Sequence, residues 1–227
     1  MKKKIYLTGL GMITVLCVVI GTAYHMSGMN TKEIRKKEEA LEAFENLIIE
    51  SDIMNISIVT GNAYTVTYTG AAKYQPVYEV KDGTLTITQK NGKKWFQNNG
   101  GEMNMVITIP QDTTLRNLDV ESDIGMIKME NIQMERGHIE SDMGEVILRK
   151  NCFTDLEVES DIGNVVVDCE EDLNAYSLKL RSDIGEITVN HEAKTKSFYQ
   201  EGNSKKNLTI TTDIGNIDIR GNADQTA

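Results

Sequence analysis

The sequence predicts an all-β fold: a single-domain β-solenoid, or parallel β-helix, behind an N-terminal transmembrane helix. The first observation is a corner motif, Ser/Thr-Asp-Ile/Met-Gly, that recurs five times with its glycines 19, 19, 22 and 30 residues apart; these are Gly125, Gly144, Gly163, Gly185 and Gly215. The second is the apolar alternation on both sides of every copy. A fixed period indicates coils that bury their apolar faces only against their neighbours.

Residues 1–29 predict a membrane anchor. Three lysines at positions 2–4 precede an uncharged run over residues 5–29, and roughly 20 apolar residues suffice to cross a bilayer. The lysines favour a cytoplasmic N-terminus, so we expect a single-pass protein of the cell membrane with an extracytoplasmic C-terminal domain. A cleaved signal peptide is the alternative, because residues 21–23 (Gly-Thr-Ala) resemble a cleavage site.

Residues 30–46 predict a short juxtamembrane helix that acts as a stalk. The segment is dense in Glu, Lys and Ala, and Ile34, Leu41 and Phe44 lie on a rough helical stripe. A helix that binds a partner is the alternative.

Residues 47–220 form the predicted repeat domain. Around Gly163 the alternate positions are Leu156, Val158, Ser160, Ile162, Val165 and Val167. A sixth copy begins at Leu47 and has Met54 in place of glycine. Two strands of period two, joined at the corner, would place all these side chains on one buried face. We expect the polar insertion 190–207 to be mobile and residues 221–227 to be disordered.

Each residue of the corner motif has a structural explanation. Glycine suits a tight corner, aspartate can accept backbone N–H bonds across a turn, and Ile or Met would join the core. The hydroxyl residue points inward in every copy, and a stacked column of hydroxyls can bond one another or the corner carbonyls. We interpret this serine column as structural, because no histidine accompanies it. Its members are Ser51, Ser122, Ser141, Ser160, Ser182 and Thr212.

The charge excludes nucleic acid as a natural partner. The formal net charge is −10, and since residues 1–29 contribute three lysines and no acid, the remainder carries −13. Stacked coils would align the acids into rows in which each adjacent pair costs on the order of 1 kcal/mol. Bound Ca²⁺ would relieve this repulsion. The candidate ligands are Asp123, Asp142, Asp161, Asp183, Glu121, Glu140 and Glu159.

Other candidate sites are few. A Gly/Asn-rich loop carries Trp95 and Phe96, which either pack inward or contact a ligand. Cys152 and Cys169 lie in neighbouring coils, so they either form a disulfide or stay as thiols. We predict no catalytic residue and no cofactor other than the Ca²⁺ option, because the acids recur in every coil, whereas a catalytic site should break the repeat.

The order of these features resembles the bacterial "putative adhesin" family of β-strand-repeat domains, also called toast-rack domains, of unknown function. The matching stretches are 44–49 (Phe-Glu-Asn-Leu-Ile-Ile), 82–87 (Asp-Gly-Thr-Leu-Thr-Ile), 107–110 (Ile-Thr-Ile-Pro) and the tandem corner motifs. The resemblance covers residues 44–220 and implies a single-domain β-helix. It also implies similarity to LiaF-type proteins, which sit behind membrane anchors in envelope-stress systems.

The sequence therefore predicts a non-catalytic, membrane-anchored interaction or scaffold module at the cell envelope, with a role in sensing envelope stress. Its expected partners are the membrane, through the N-terminal helix, and an envelope or membrane protein. The alternative is a surface adhesin that binds glycans or divalent cations. A polysaccharide-processing enzyme is the third option, since parallel β-helices also host such enzymes.

Overall fold

The computed structural model describes residues 34–90 and 102–222, which form two β-sheets around one hydrophobic core. The complete helical elements in these ranges are two 3₁₀ turns, Ala72–Tyr74 and Leu173–Ala175. None of the helices in these ranges is long and apolar enough to cross a membrane. The predicted anchor over residues 5–29 and most of the tail, residues 223–227, lie outside the described residues.

The strands follow one another closely along the chain. Their bounds are β1 Ile34–Ala40, β2 Asn46–Ile53, β3 Asn55–Gly61, β4 Thr65–Ala71, β5 Val77–Lys81, β6 Thr84–Gln89, β7 Asn104–Pro110, β8 Thr114–Ile124, β9 Ile127–Glu130, β10 Gln133–Met143, β11 Val146–Asn151, β12 Asp155–Ile162, β13 Val165–Cys169, β14 Tyr176–Ile184, β15 Ile187–Val189, β16 Glu192–Lys194, β17 Ser197–Gln200, β18 Lys206–Ile214 and β19 Ile217–Arg220.

The corner motif divides each coil between the two sheets. A long strand before the corner joins the nine-stranded sheet, whose order is β17-β14-β18-β12-β10-β8-β2-β6-β5. A shorter strand after the corner joins the ten-stranded sheet, whose order is β1-β4-β7-β3-β9-β11-β13-β19-β15-β16. Within the described chain, neighbouring coils pair in parallel, as expected for stacked coils.

The coils do not stack in chain order at either end. The first coil, β2 and β3, lies between the coil of β6 and β7 and the coil of β8 and β9. The last coil, β18 and β19, lies between the coil of β12 and β13 and the coil of β14 and β15. A simple progressive solenoid is therefore wrong at both ends, because inserted segments carry the chain past one coil and bring it back.

Antiparallel strands form the outermost strands at both ends of the stack, and they are short or rich in charge, a composition that disfavours pairing with other chains. β17 and β5 flank the nine-stranded sheet, while β1 and β16 flank the ten-stranded one. The insertion at 190–207 supplies β16 and β17, so the expectation of a mobile polar loop was wrong for these two strands. The final described residues also bond to the body: the Gly221 amide donates to the Asn190 side chain at 2.9 Å.

The predicted stalk helix over residues 30–46 is also wrong where the structure describes it. Residues 34–40 form β1, which pairs antiparallel with β4, and Phe44 is buried against Tyr64 with ring centroids 4.9 Å apart. The Lys and Glu residues that suggested a helix are equally suited to a charged edge strand. Pairing with the sheet outweighs the small differences in helix propensity.

The core follows the predicted alternation. Inward residues of the long strands, such as Leu156 and Val158, and of the short strands, such as Val165 and Val167, are at most 1% exposed. Because the same offsets recur, each residue stacks on its equivalents in the next coils, as in the pairing of Leu156 with Leu208. The outward positions are left to form the surface rows described below.

Candidate functional site

The serine column is buried, as predicted, with its six members at most 4% exposed. At one end the Ser51 hydroxyl donates to Gln89 Oε1 at 3.0 Å, and toward the other end Ser182 donates to the Gly215 carbonyl at 2.9 Å. The central hydroxyls of Ser122, Ser141 and Ser160 have no hydrogen-bond partner in the described structure. The column lines the inside of the corner and offers no accessible nucleophile.

The corner glycines are required by close backbone approach. A Cβ atom added to Gly144 would lie 1.9 Å from the Gly125 carbonyl oxygen, and one added to Gly163 would lie 1.6 Å from that of Gly144. Only Gly125 and Gly144 also have positive φ, at 148° and 158°. Met54 stands at the start of this series and turns its side chain into the core, where it is 1% exposed.

Asparagines after the corner link one coil to the next, a feature that the sequence analysis missed. Asn164 Oδ1 accepts from the Asn216 amide at 2.9 Å, and Asn216 Oδ1 accepts from the Glu186 amide at 2.9 Å. Asn55 Oδ1 likewise accepts from the Met126 amide at 3.0 Å. The recurrence of Asn directly after the glycine position in three copies was the available signal.

The outer side of the nine-stranded sheet carries an acidic face. Strands β8, β10 and β12 each turn three exposed or half-exposed side chains outward, and pairing sets equivalent residues side by side, as in Glu121, Glu140 and Glu159. Eight of the nine residues are acids. The face comprises Asp119, Glu121, Asp123, His138, Glu140, Asp142, Glu157, Glu159 and Asp161.

Like charges at this spacing repel one another. The pKa of Asp123 is raised, first by desolvation and then by the carboxylates of Asp142, Asp52 and Glu121. His138 Nδ1 lies 3.8 Å from Glu157 Oε2. The face therefore holds negative charge that a cationic partner would stabilise.

The glutamate row ends at the last two coils of the stack, whereas the aspartate row continues as Asp213 and Asp183. Thr211 and Arg181 occupy the positions of the glutamates, and Arg181 Nε lies 2.9 Å from Asp183 Oδ1. Lys196 Nζ donates to the Asp183 carbonyl at 2.7 Å. The negative potential is thus concentrated on the central coils.

The calcium candidates lie in rows and do not converge. Within residues 34–90 and 102–222, no group of three or more His, Cys, Asp or Glu is arranged to hold a metal ion. Asp183 is paired with Arg181, whereas the other six candidates belong to the acidic face. The expected turn-capping role is also not seen, since Asp123, Asp142 and Asp161 accept no backbone hydrogen bond in the described structure.

At four corners the Ile or Met faces solvent, contrary to the prediction that it joins the core, whereas Ile53 in the first copy is partly buried against the core. Met143 is 49% exposed, Ile162 45%, Ile214 47% and Ile184 63%. The alternation breaks at the corner, because the chain must turn between the inward Ser160 and the inward Val165. The residue beside the glycine is therefore left on the outer edge.

The two cysteines are not joined by a disulfide. Cys169 is buried, which raises its pKa to about 12. The half-buried Cys152 lies 3.5 Å from Glu171 Oε1 and 4.0 Å from Lys206 Nζ. Lys206 holds the pKa of Glu171 below its usual value, so this cluster links β18 to the segment after β13 by an ion pair.

An open cleft of about 400 Å³ lies at the β1 end of the stack. Tyr64 lines it, and its hydroxyl lies 2.9 Å from Thr113 Oγ1. Asp112 and Glu45 add carboxylates, and Glu45 pairs with Arg116 at 2.9 Å. Trp95 and Phe96, the predicted ligand contacts, lie outside the described residues.

These features define a class of protein: a tandem-coil β-repeat domain with two sheets, glycine corners and one acidic face. The chain belongs to the Toastrack DUF4097 family, whose model matches residues 44–191 and 116–220. The resemblance predicted from the corner motifs is thereby confirmed.

A solved structure shares this fold. A "putative cell adhesion protein" from Clostridium sporogenes superposes with a TM-score of 0.65 at 17% identity, covering 83% of this chain and 100% of that one. A "putative adhesin" from Bacteroides fragilis covers 83% of this chain and 98% of its own, at 13% identity and a TM-score of 0.42. No curated protein matches the chain.

Proposed function

We propose that this protein is a non-catalytic, membrane-anchored module at the outer side of the cytoplasmic membrane that binds an envelope or membrane protein. The observation that carries the proposal is the acidic face, which a parallel stack of strands presents as a fixed array. A fixed array loses little conformational freedom on binding, and complementary charge accelerates encounter. The apolar run at 5–29 supports anchoring, and the resemblance to LiaF-type proteins supports a role in envelope-stress sensing.

Charge neutralisation tests this function. In native membranes the full chain should give a discrete chemical crosslink to a partner, and Glu121→Gln/Glu140→Gln/Glu159→Gln should weaken that crosslink strongly. The matched control Asp112→Asn/Glu170→Gln/Glu201→Gln changes the net charge equally at exposed acids off the face and should keep it. Equal crosslinking by both variants, or no partner for the unaltered chain, would contradict the proposal.

Adhesion to glycans is the second candidate. It is supported by the open cleft, where Tyr64 and the nearby carboxylates and hydroxyls combine an aromatic ring with hydrogen-bonding groups, as sugar ligands require. Binding of cell-wall oligosaccharides to the full chain, lost on Asp112→Asn, would favour this function. Binding that is unchanged by that substitution would place any glycan site elsewhere.

A further inference from the structure

The corner residues form an apolar ladder along one edge of the stack. In spatial order its rungs are Ile124, Met143, Ile162, Ile214 and Ile184, each paired with the next across adjacent coils. Four of the five are between 45% and 63% exposed, and Ile124 is half-buried. Each rung lies beside its neighbours in the adjacent coils, and the row that they form faces outward, a pattern typical of interaction sites.

Acids line one side of the ladder and part of the other. Each rung directly follows an aspartate of the motif, and Asp123, Asp142 and Asp161 belong to the acidic face. On the other side, Glu145 and Glu186 follow the corner glycines. A matching ligand needs an apolar stripe with cationic side chains on either side.

The spacing of the rungs selects the shape of that ligand. Adjacent strands lie roughly 4.8 Å apart, so the five rungs extend on the order of 19 Å. An α-helix presents apolar residues at i, i+3, i+4 and i+7, so its apolar stripe repeats about every 5.4 Å turn along its axis, and about 13 residues cover this length. An extended strand repeats its side chains at about 6.8 Å on one face and would lose register with the ladder.

We propose that the apolar ladder docks a cationic amphipathic helix of a protein partner, lying across the coils with its apolar stripe on the rungs. This inference rests on the proposed binding function and specifies its partner. Charge complementarity disfavours the other occupants: a second copy would bring two sets of aspartates together, and an anionic lipid surface would be repelled.

A peptide titration tests the docking site. The probe is a fluorescent peptide of about 16 residues with Leu at i, i+3, i+4 and i+7 and Lys elsewhere, compared with a scrambled peptide of identical composition. Full-length protein in zwitterionic nanodiscs should bind the helical peptide at least about tenfold more tightly than the scrambled one. Ile162→Ser/Ile214→Ser should remove that preference, whereas Val77→Ser, which changes another exposed residue (76%), should not.

Each other outcome overturns the ladder site. Equal binding of both peptides would show simple electrostatic attraction to the acids. Unchanged binding by the Ile162→Ser/Ile214→Ser protein, verified as folded by its thermal melt, would place the contact elsewhere. Self-association through the ladder, or binding of anionic vesicles that the double variant loses, would assign it to another occupant. If the unaltered protein shows no preference for the helical peptide while its crosslink from the acidic face is intact, this inference alone is overturned and the proposed function stands.

Discussion

At the residue scale, the corner motif separates three tasks that the sequence presents as one unit. Glycine allows adjacent corner backbones to approach, the hydroxyl residue fills the inside of the corner, and the Asp-Ile pair faces outward. The tight contacts run from coil to coil, so each corner depends on its neighbours.

Gly144→Ala should therefore destabilise the protein strongly, by about 2–4 kcal/mol. The new methyl group would meet the Gly125 carbonyl oxygen at 1.9 Å, and Gly144 also has a φ of 158°. Chemical denaturation of the variant measures this loss. Gly83→Asn is the matched control, since Gly83 sits at φ 73°, where Asn is tolerated, and an added Cβ would meet Glu45 only at an ordinary van der Waals distance of 3.7 Å. If Gly144→Ala lowers the free energy of unfolding by less than Gly83→Asn does, close backbone approach at Gly144 is not what requires glycine there.

Asp123→Asn should stabilise the protein at pH 7 by up to about 0.5 kcal/mol, the scale of exposed like-charge pairs. The raised pKa of Asp123 means that the folded state holds its proton more tightly than the unfolded state, so stability falls as pH rises through that pKa. The gain should shrink as the pH is lowered toward the pKa of Asp123, where its carboxylate becomes protonated. Thermal melts at several pH values, with Asp112→Asn as control, measure it; a gain that is constant with pH would argue against charge repulsion.

At the element scale, pattern identified the strands better than propensity did. The alternation around Gly163 predicted β12 and β13, because one face of each strand packs on the core and the other faces solvent. Residues 34–40 were misassigned as helix because their charged residues suit either a helix or an edge strand, and only the pairing with β4 decides between them. The corner Ile was misassigned because strict alternation does not hold through a turn.

The last coil is held in its inserted position partly by the ion pair between Lys206 and Glu171. Lys206→Met should cost about 0.5–1 kcal/mol at pH 7, because both side chains are partly exposed. Glu171 has a lowered pKa, so this stability is present above its unfolded pKa and is lost as pH falls through the folded one. Urea denaturation at pH 7 and at acidic pH tests this, with Lys205→Met as control. A loss of stability that persists at a pH where Glu171 is protonated would indicate lost packing instead.

At the scale of the whole molecule, the sequence predicted the stacked coils but not their order. The motif determines which residues align between coils, and this alignment is the same whichever two coils are neighbours. The order depends on where the insertions at 62–83 and 190–207 carry the chain, and these insertions do not contain the repeating motif. The acidic face could be predicted, because its residues occupy fixed offsets from the glycine.

The two faces of the stack differ in charge, and this difference underlies the proposed function. On the outside of the ten-stranded sheet, Lys128 pairs with Glu130 and Arg149 with Asp168, so acids and bases neutralise one another. The acidic face has one histidine among eight acids. A partner recruited by charge should therefore contact the nine-stranded sheet.

Site-specific photo-crosslinking in native membranes tests this claim most directly. A photoreactive phenylalanine analogue at Glu140, in the middle of the acidic face, should yield an adduct with one envelope or membrane protein. The same analogue at Val166, on β13 of the opposite sheet, should yield none. An adduct from Val166 alone, or equal adducts from both positions, would contradict the assignment of the acidic face as the binding surface.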